Sequence, residues 1–401
     1  MTAPSSIPHH PLPRARFGFA LVLIGAALMM AGAGAPSLFY PVLQRELAFS
    51  PAMISAIFAI YAVALLAALL IVGSLSDHVG RRPVMTLGFA GLAVAAALFW
   101  QAGTVGQLLF ARVLQGAATG LLMPALSAAA VDLEPRDRPG SAAIWNAVLP
   151  LCGLGGGAMY AGALMKYTDL AKVEVFGSLI TCYLGLMLLV WLLPETSPRH
   201  EGVWQALKPR VGLPATARAP FWRSAPAVFA GWAIGGLYLS LGTGIVSSIF
   251  GIHDYVAEAG VILLLAGMGA FAIFLSRNLH QRTVLLRGSA ALAVGTFVSV
   301  VGMQMESLGI YLAGLAVGGM GFGTCFYGTI RTLIPLAAPE ERGEMFAALF
   351  TISYMAFGVP TVIAGLLVPH LGLLATATGY GLIVALAAAV ACGWRRFATR
   401  D

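Results

Sequence analysis

Of 401 residues, 59% are hydrophobic and 10% charged, against the roughly one quarter charged that a soluble chain of this length carries. The net charge of +7 is confined to short polar segments between apolar blocks, which argues against a nucleic-acid surface. Cys152, Cys182, Cys325 and Cys392 lie inside apolar blocks with no metal-ligand spacing, so they read as packing residues, and neither a metal nor another cofactor is expected.

The apolar blocks are about 20 residues long, enough to cross a ~30 Å hydrocarbon core, and predict an all-α polytopic membrane protein. Residues 1–16 are polar and proline-rich and read as a disordered cytoplasmic segment. The block from Phe17 to Tyr40 contains a small-residue run, AGAGAP, but is too long for a signal peptide and too many spans follow it. Further spans are predicted near 53–73, 84–101, 107–130, 141–164 and 175–193. A Pro-, Arg- and Lys-rich linker at 195–223 then separates them from spans near 225–250, 256–275, 286–304, 308–330, 343–368 and 371–393. The chain thus divides into a first six-helix bundle at 17–194, the linker, a second bundle at 224–394 and a basic tail at 395–401.

With the N-terminus inside, nineteen Lys and Arg fall in inner segments, and only Arg45, Lys166 and Lys172 fall outside. That bias predicts cytoplasmic termini and a cytoplasmic linker. The halves also repeat each other. LSDHVGRR at 75–82 matches LSRNLHQR at 275–282, and PRDRPG at 135–140 matches PEERG at 339–343.

The most informative string is GSLSDHVGRR at 73–82, between the second and third spans. Gly73 and Gly80 free the turn, Asp77 ends one helix, and Arg81 and Arg82 open the next with positive charge. The string resembles the signature loop of the major facilitator superfamily, G-x-L-x-D-x-x-G-R-R. The resemblance implies two pseudo-symmetric six-helix bundles that rock to give alternating access. It also implies that Asp77 contacts a helix of the other half and helps shut the inner gate. Without it, Asp77 is an ordinary solvated helix end.

ARVLQG at 111–116 resembles the R-x-x-Q-G motif on helix four of this superfamily, particularly of its proton-coupled exporters. Arg112 would then share a cavity-lining face with Gln115, Thr119 and Met123. The plainer alternative is a side chain that snorkels to the outer interface. CGLGGGAMYAG at 152–162 matches the superfamily's antiporter motif only in part, because the Gly-Pro pair is absent, and tight helix packing is reason enough for its glycines.

Further cavity candidates are Tyr40, Trp145, Asn146, Trp232, Tyr238, Met320, Thr324, Tyr327, Arg331 and Tyr354, a set both aromatic and weakly polar. Proton coupling has few candidates: Asp254 and Glu258 at the outer start of the eighth span, and Asp77. The expectation is a multi-pass, monomeric transporter of the bacterial inner membrane, moving amphiphilic small molecules outward in exchange for protons. Its cargo would be drug-like compounds or a secreted metabolite such as a siderophore. An importer or facilitator of a small organic solute is one alternative, and a non-transporting receptor or assembly factor is another. No nucleotide-binding loop and no catalytic Ser-His or paired-carboxylate set occurs in the spans, so no enzyme is expected.

Overall fold

A computed structural model of the chain describes residues 12–197, 199–207, 211–338 and 341–397. Lys208, Arg210, Arg400, Pro339 and Glu340 of the second repeated loop and residues 1–11 of the N-terminal segment lie outside the described residues, while residues 12–16, expected to be disordered, are the first turn of a helix. Among the described residues, twelve helices are long and apolar enough to cross a membrane. In chain order they are α1 (Leu12–Gly34), α2 (Pro51–Val72), α3 (Arg81–Trp100), α4 (Val105–Asp132), α5 (Ser141–Tyr167) and α6 (Ala171–Leu189). The second six are α7 (Ala215–Ile249), α8 (Tyr255–Leu275), α9 (Gln281–Gln304), α10 (Leu308–Leu333), α11 (Arg342–Leu371) and α12 (Leu373–Phe397). The start of α1 and the end of α12 share one end of the bundle, here the terminal end; the other is the far end.

Two of the expected bounds differ. The first apolar block is broken: α1 stops at Gly34, a 3-10 turn runs over Ala35–Leu38, and a separate helix covers Tyr40–Leu47. Pro36 and Pro41 flank that break and remove two amide donors. Conversely, α7 starts ten residues before its apolar pattern, because Pro214 caps it and Pro220 and Pro226 are carried inside it.

Packing repeats between the halves. The pairs α1–α5, α2–α4 and α3–α6 correspond to α7–α11, α8–α10 and α9–α12. Hydrocarbon gives no hydrophobic reason for helices to associate, so backbone proximity has to come from small residues. Gly153 and Gly157 of α5 lie on the backbone of Ala27 and Ala31 in α1. Gly155 and Gly162 on another side of α5 meet Leu263, Tyr255 and Ala259 of α8, across the boundary between halves. The other boundary pair is α2–α11, where Gly365 covers Ser55 and a Cβ on Gly358 would stand 3.8 Å from Ala62.

The linker is tied to both halves at the terminal end. His200 donates its N–H to the Asp77 carbonyl at 3.0 Å, Gly212 donates to the Glu344 carbonyl at 3.4 Å, and the Thr216 hydroxyl donates to the Leu336 carbonyl at 2.7 Å.

The α5 contacts sort its glycines. Gly157→Leu drives a side chain into the Ala31 backbone and is expected to cost at least the ~1–3 kcal/mol typical of overpacking. Gly156 faces open space, so Gly156→Ala should leave stability unchanged or raised. Thermal unfolding in detergent, followed by size-exclusion chromatography, checks both. Equal melting temperatures for the two variants would refute the assignment.

Candidate functional site between the halves

The loop at 73–82 forms a closed network within the first half. Gly80 takes φ of +124°, and a Cβ there would press on the Glu195 carboxylate at 2.9 Å, so glycine is required. Glu195 accepts the N–H groups of Arg81 at 2.8 Å and Arg82 at 3.2 Å, capping the start of α3 with an anion. The Arg81 guanidinium, 7% exposed, donates to Ser76 at 2.7 Å and to Asp132 at 3.4 Å, and pairs with Asp77. Asp77 was expected to reach across to helix eleven; its partner here is Arg81 of its own loop. Four residues of helical spacing put the two on one face, and Ser76 and Asp132 hold the guanidinium there. Glu195 and Asp132 were not singled out by the motif. The only sequence signal for Glu195 is an acid directly after the sixth apolar block.

Arg112 is 1% exposed, so it does not snorkel, and it does not face an open cavity either. Its Nε donates to the Tyr40 hydroxyl, and its Nη1 donates to Gln115 Oε1 at 2.6 Å. Gln115 in turn donates to the Gly32 carbonyl at 2.6 Å, and Thr119 to the Gln115 carbonyl at 2.8 Å. The rings of Tyr40, Phe58, Tyr61 and Phe99 surround the guanidinium carbon at 5.2–5.3 Å. Desolvated cation–π contacts of this kind are worth about 2 kcal/mol or more. Phe58 and Tyr61, one turn apart on α2, escaped the sequence reading because they look like ordinary lipid or packing residues. Met123, the last of the proposed face, is half-buried against the first-half core.

At mid-depth the second half presents an aromatic cluster. Trp232 of α7 lies 4.8 Å from Tyr354 of α11, 5.4 Å from Phe326 of α10 and 6.4 Å from Phe357, ring centre to ring centre. Phe350 continues it, 5.6 Å from Phe326 and 6.2 Å from Tyr354. Tyr354 and Phe357 join the buried cluster that also holds Tyr61 and Phe58 of the first half.

Other candidates lie elsewhere. Tyr238, 2% exposed, packs on Tyr311 inside the second half, because its side of α7 faces α9 and α10. Thr324 bonds the Met320 carbonyl at 2.6 Å and fills the notch at Gly288 of α9, again away from the cluster. Tyr327 is buried among Val148, Ala270 and Val284 nearer the terminal end, with Arg331 over its ring at 5.5 Å. Trp145 meets Phe274 across the boundary at 6.5 Å, and Asn146 donates to Ser127 of α4 at 3.2 Å. A cavity of about 440 Å³ lies apart from the aromatic cluster, lined by apolar residues such as Val246, Val261, Leu264, Leu308 and Leu312.

At the far end the Lys166 ammonium of α5 meets the Asp254 carboxylate at 2.5 Å, joining the halves. Asp254 also caps α8, accepting the N–H groups of Val256 and Ala257, both at 3.0 Å. Glu258 lies one turn deeper on α8 and is 7% exposed. The hydrogen bond from Lys166, then the backbone donors, hold the Asp254 carboxyl below its usual range. A lowered folded pKa stabilises the fold above the ordinary carboxylate value of about 4, and that contribution fades as pH falls through the lowered value. Asp254→Asn should therefore melt below the parent near neutral pH and approach it below about pH 4. The exchange Lys166→Asp with Asp254→Lys should recover part of the loss in thermal unfolding; a gap independent of pH and of the exchange would count against the bridge.

A family model described as Major Facilitator Superfamily matches residues 22–361. The chain is 30% identical over 165 residues to a puromycin resistance protein of Streptomyces alboniger, covering 40% of this chain and 32% of that protein. It is 28% identical over 208 residues to a tetracenomycin C resistance and export protein of Streptomyces glaucescens, covering 50% of this chain and 38% of that one. The matched stretch thus spans well under half the length of these relatives. The solved structure of the human organic anion transporter MFSD10 superposes with a TM-score of 0.70 at 16% identity, over 94% of this chain and 100% of that one, a likeness of fold. The family match runs through both halves, and the chain belongs to the Major Facilitator Superfamily.

Proposed function

We propose that this multi-pass membrane transporter exports aromatic, amphiphilic small molecules across the bacterial cytoplasmic membrane by alternating access, in exchange for protons. The observation that carries the reading is the aromatic cluster of Trp232, Phe326, Phe350 and Tyr354 in the second half, whose Tyr354 is buried together with first-half residues. Export as the direction is supported by relatives named for antibiotic resistance and export. Both termini are placed in the cytoplasm by the charge bias, which makes the terminal end the inner one and the far end the outer one. The protein acts as a monomer in this reading. The two boundary pairs, α5–α8 and α2–α11, are the surfaces along which the halves rock.

Glu258 is assigned the proton. It is a buried acidic side chain within a span, one turn inside the outer closure. Asp254 is committed to Lys166 and to capping α8, which leaves it a structural role.

The test is transport in proteoliposomes of a panel of planar aromatic compounds of either charge, with and without an imposed pH gradient. The gradient alone should drive accumulation, and its collapse should abolish it. Trp232→Ala should lower the rate about tenfold or more, the loss of roughly 1.4 kcal/mol of recognition. Exchange that proceeds equally without a gradient would make the protein a facilitator.

Among acid variants, Glu258→Gln is expected to flatten the pH dependence of transport, while Asp254→Asn keeps the parental profile at reduced rate. The reverse ranking, or two parental profiles, would remove Glu258 from the coupling step.

A further inference from the structure

Among the described residues, the two buried arginines are treated in opposite ways. Arg81 has the carboxylates of Asp77 and Asp132 within ion-pair distance. Arg112 is more deeply buried, and among the described residues no carboxylate lies within 4.0 Å of it. Tyr40 and Gln115 take Nε and Nη1, while Nη2 is buried with no hydrogen-bond partner. The four rings steady the cation through their faces but offer its remaining N–H groups no acceptor. A guanidinium binds carboxylate-like groups through a fork of parallel donors, and Nη2 is the free prong of that fork. The unmade bond is therefore to an anion that the described protein does not itself supply.

Tyr61 is the ring of this box carried by α2, the helix that packs on α11. Directly beyond it Ala62 meets Gly358, and Tyr354 and Phe357 of α11 share its core. Separation of α2 from α11 would open the box towards the cluster of Trp232, Tyr354 and Phe350. A ligand bridging the halves would then meet aromatic faces on one side and an unmatched cation on the other.

We infer that the compound recognised between the halves is an aromatic anion, its acidic group taken by Nη2 of Arg112 and its ring by the Trp232–Tyr354 surface. This rests on the transporter reading for its location, while the charge of the ligand follows from the unpaired guanidinium. Gln115 and Tyr40 are positioning residues that aim the guanidinium.

The experiment measures binding of 2-naphthoate and its methyl ester to the full chain in nanodiscs by isothermal calorimetry, with empty nanodiscs subtracted. The acid should bind at least tenfold more tightly than the ester. Arg112→Gln should erase that preference, and Arg112→Lys should keep part of it. Equal affinities for acid and ester in the parent protein, or no binding of either at millimolar concentration, overturn the inference whether or not the Arg112 variants fold. An acid preference that survives Arg112→Gln overturns it as well. Transport of the same pair in proteoliposomes separates the two readings. Acid bound through Arg112 but never moved would sink the transporter reading and leave the anion site. Ester moved as fast as acid would sink the anion inference alone.

Discussion

A bilayer removes the force that holds soluble helices together, so contact between helix backbones has to be made through missing side chains. That constraint organises this molecule. Gly153 and Gly157 let α5 lie on α1, and Gly155 and Gly162 on another side let it lie on α8. One helix thereby belongs to its own half and to the boundary at once. Packing of this kind is tight but has no side chains to disentangle, which suits the rocking proposed for these surfaces.

Charge inside the bundle follows a second rule, that burial is tolerated where partners are supplied. Arg81 is held by carboxylates and a hydroxyl, and the carboxylate of Glu195 satisfies the helix start beside it. The far-end bridge of Lys166 and Asp254 joins the halves with one charge from each. Arg112 receives rings and amide oxygen in place of an acid. The degree of pairing thus differs between the signature loop, the boundary between the halves and the ring-lined surroundings of Arg112.

The sequence made the spans and the two halves legible, because apolar blocks and the charge between them are read directly along the chain. The signature loop was legible too, although the partner of Asp77 was not: whether an acid reaches across or bonds its own loop depends on Arg81 and Asp132 meeting in space. Arg112 stood out as a charge within a span, but its four rings come from α2, α3 and the helix at Tyr40–Leu47. No local pattern joins them. Trp232 and Tyr354 were found by residue type, and Tyr238 and Thr324 were misplaced for the same reason: composition does not tell which side of a bundle helix faces the other half.

The linker has a mechanical consequence. It is fastened to the first half at His200 and to the second at Gly212, twelve residues later. Twelve residues of extended chain reach about 40 Å, at ~3.3–3.6 Å each, more than the thickness of the hydrocarbon core. A connection of that reach does not by itself fix the separation of the halves. In the proposed cycle the α5–α8 and α2–α11 contacts would guide the halves, and the connection would serve as a leash that keeps them matched one to one.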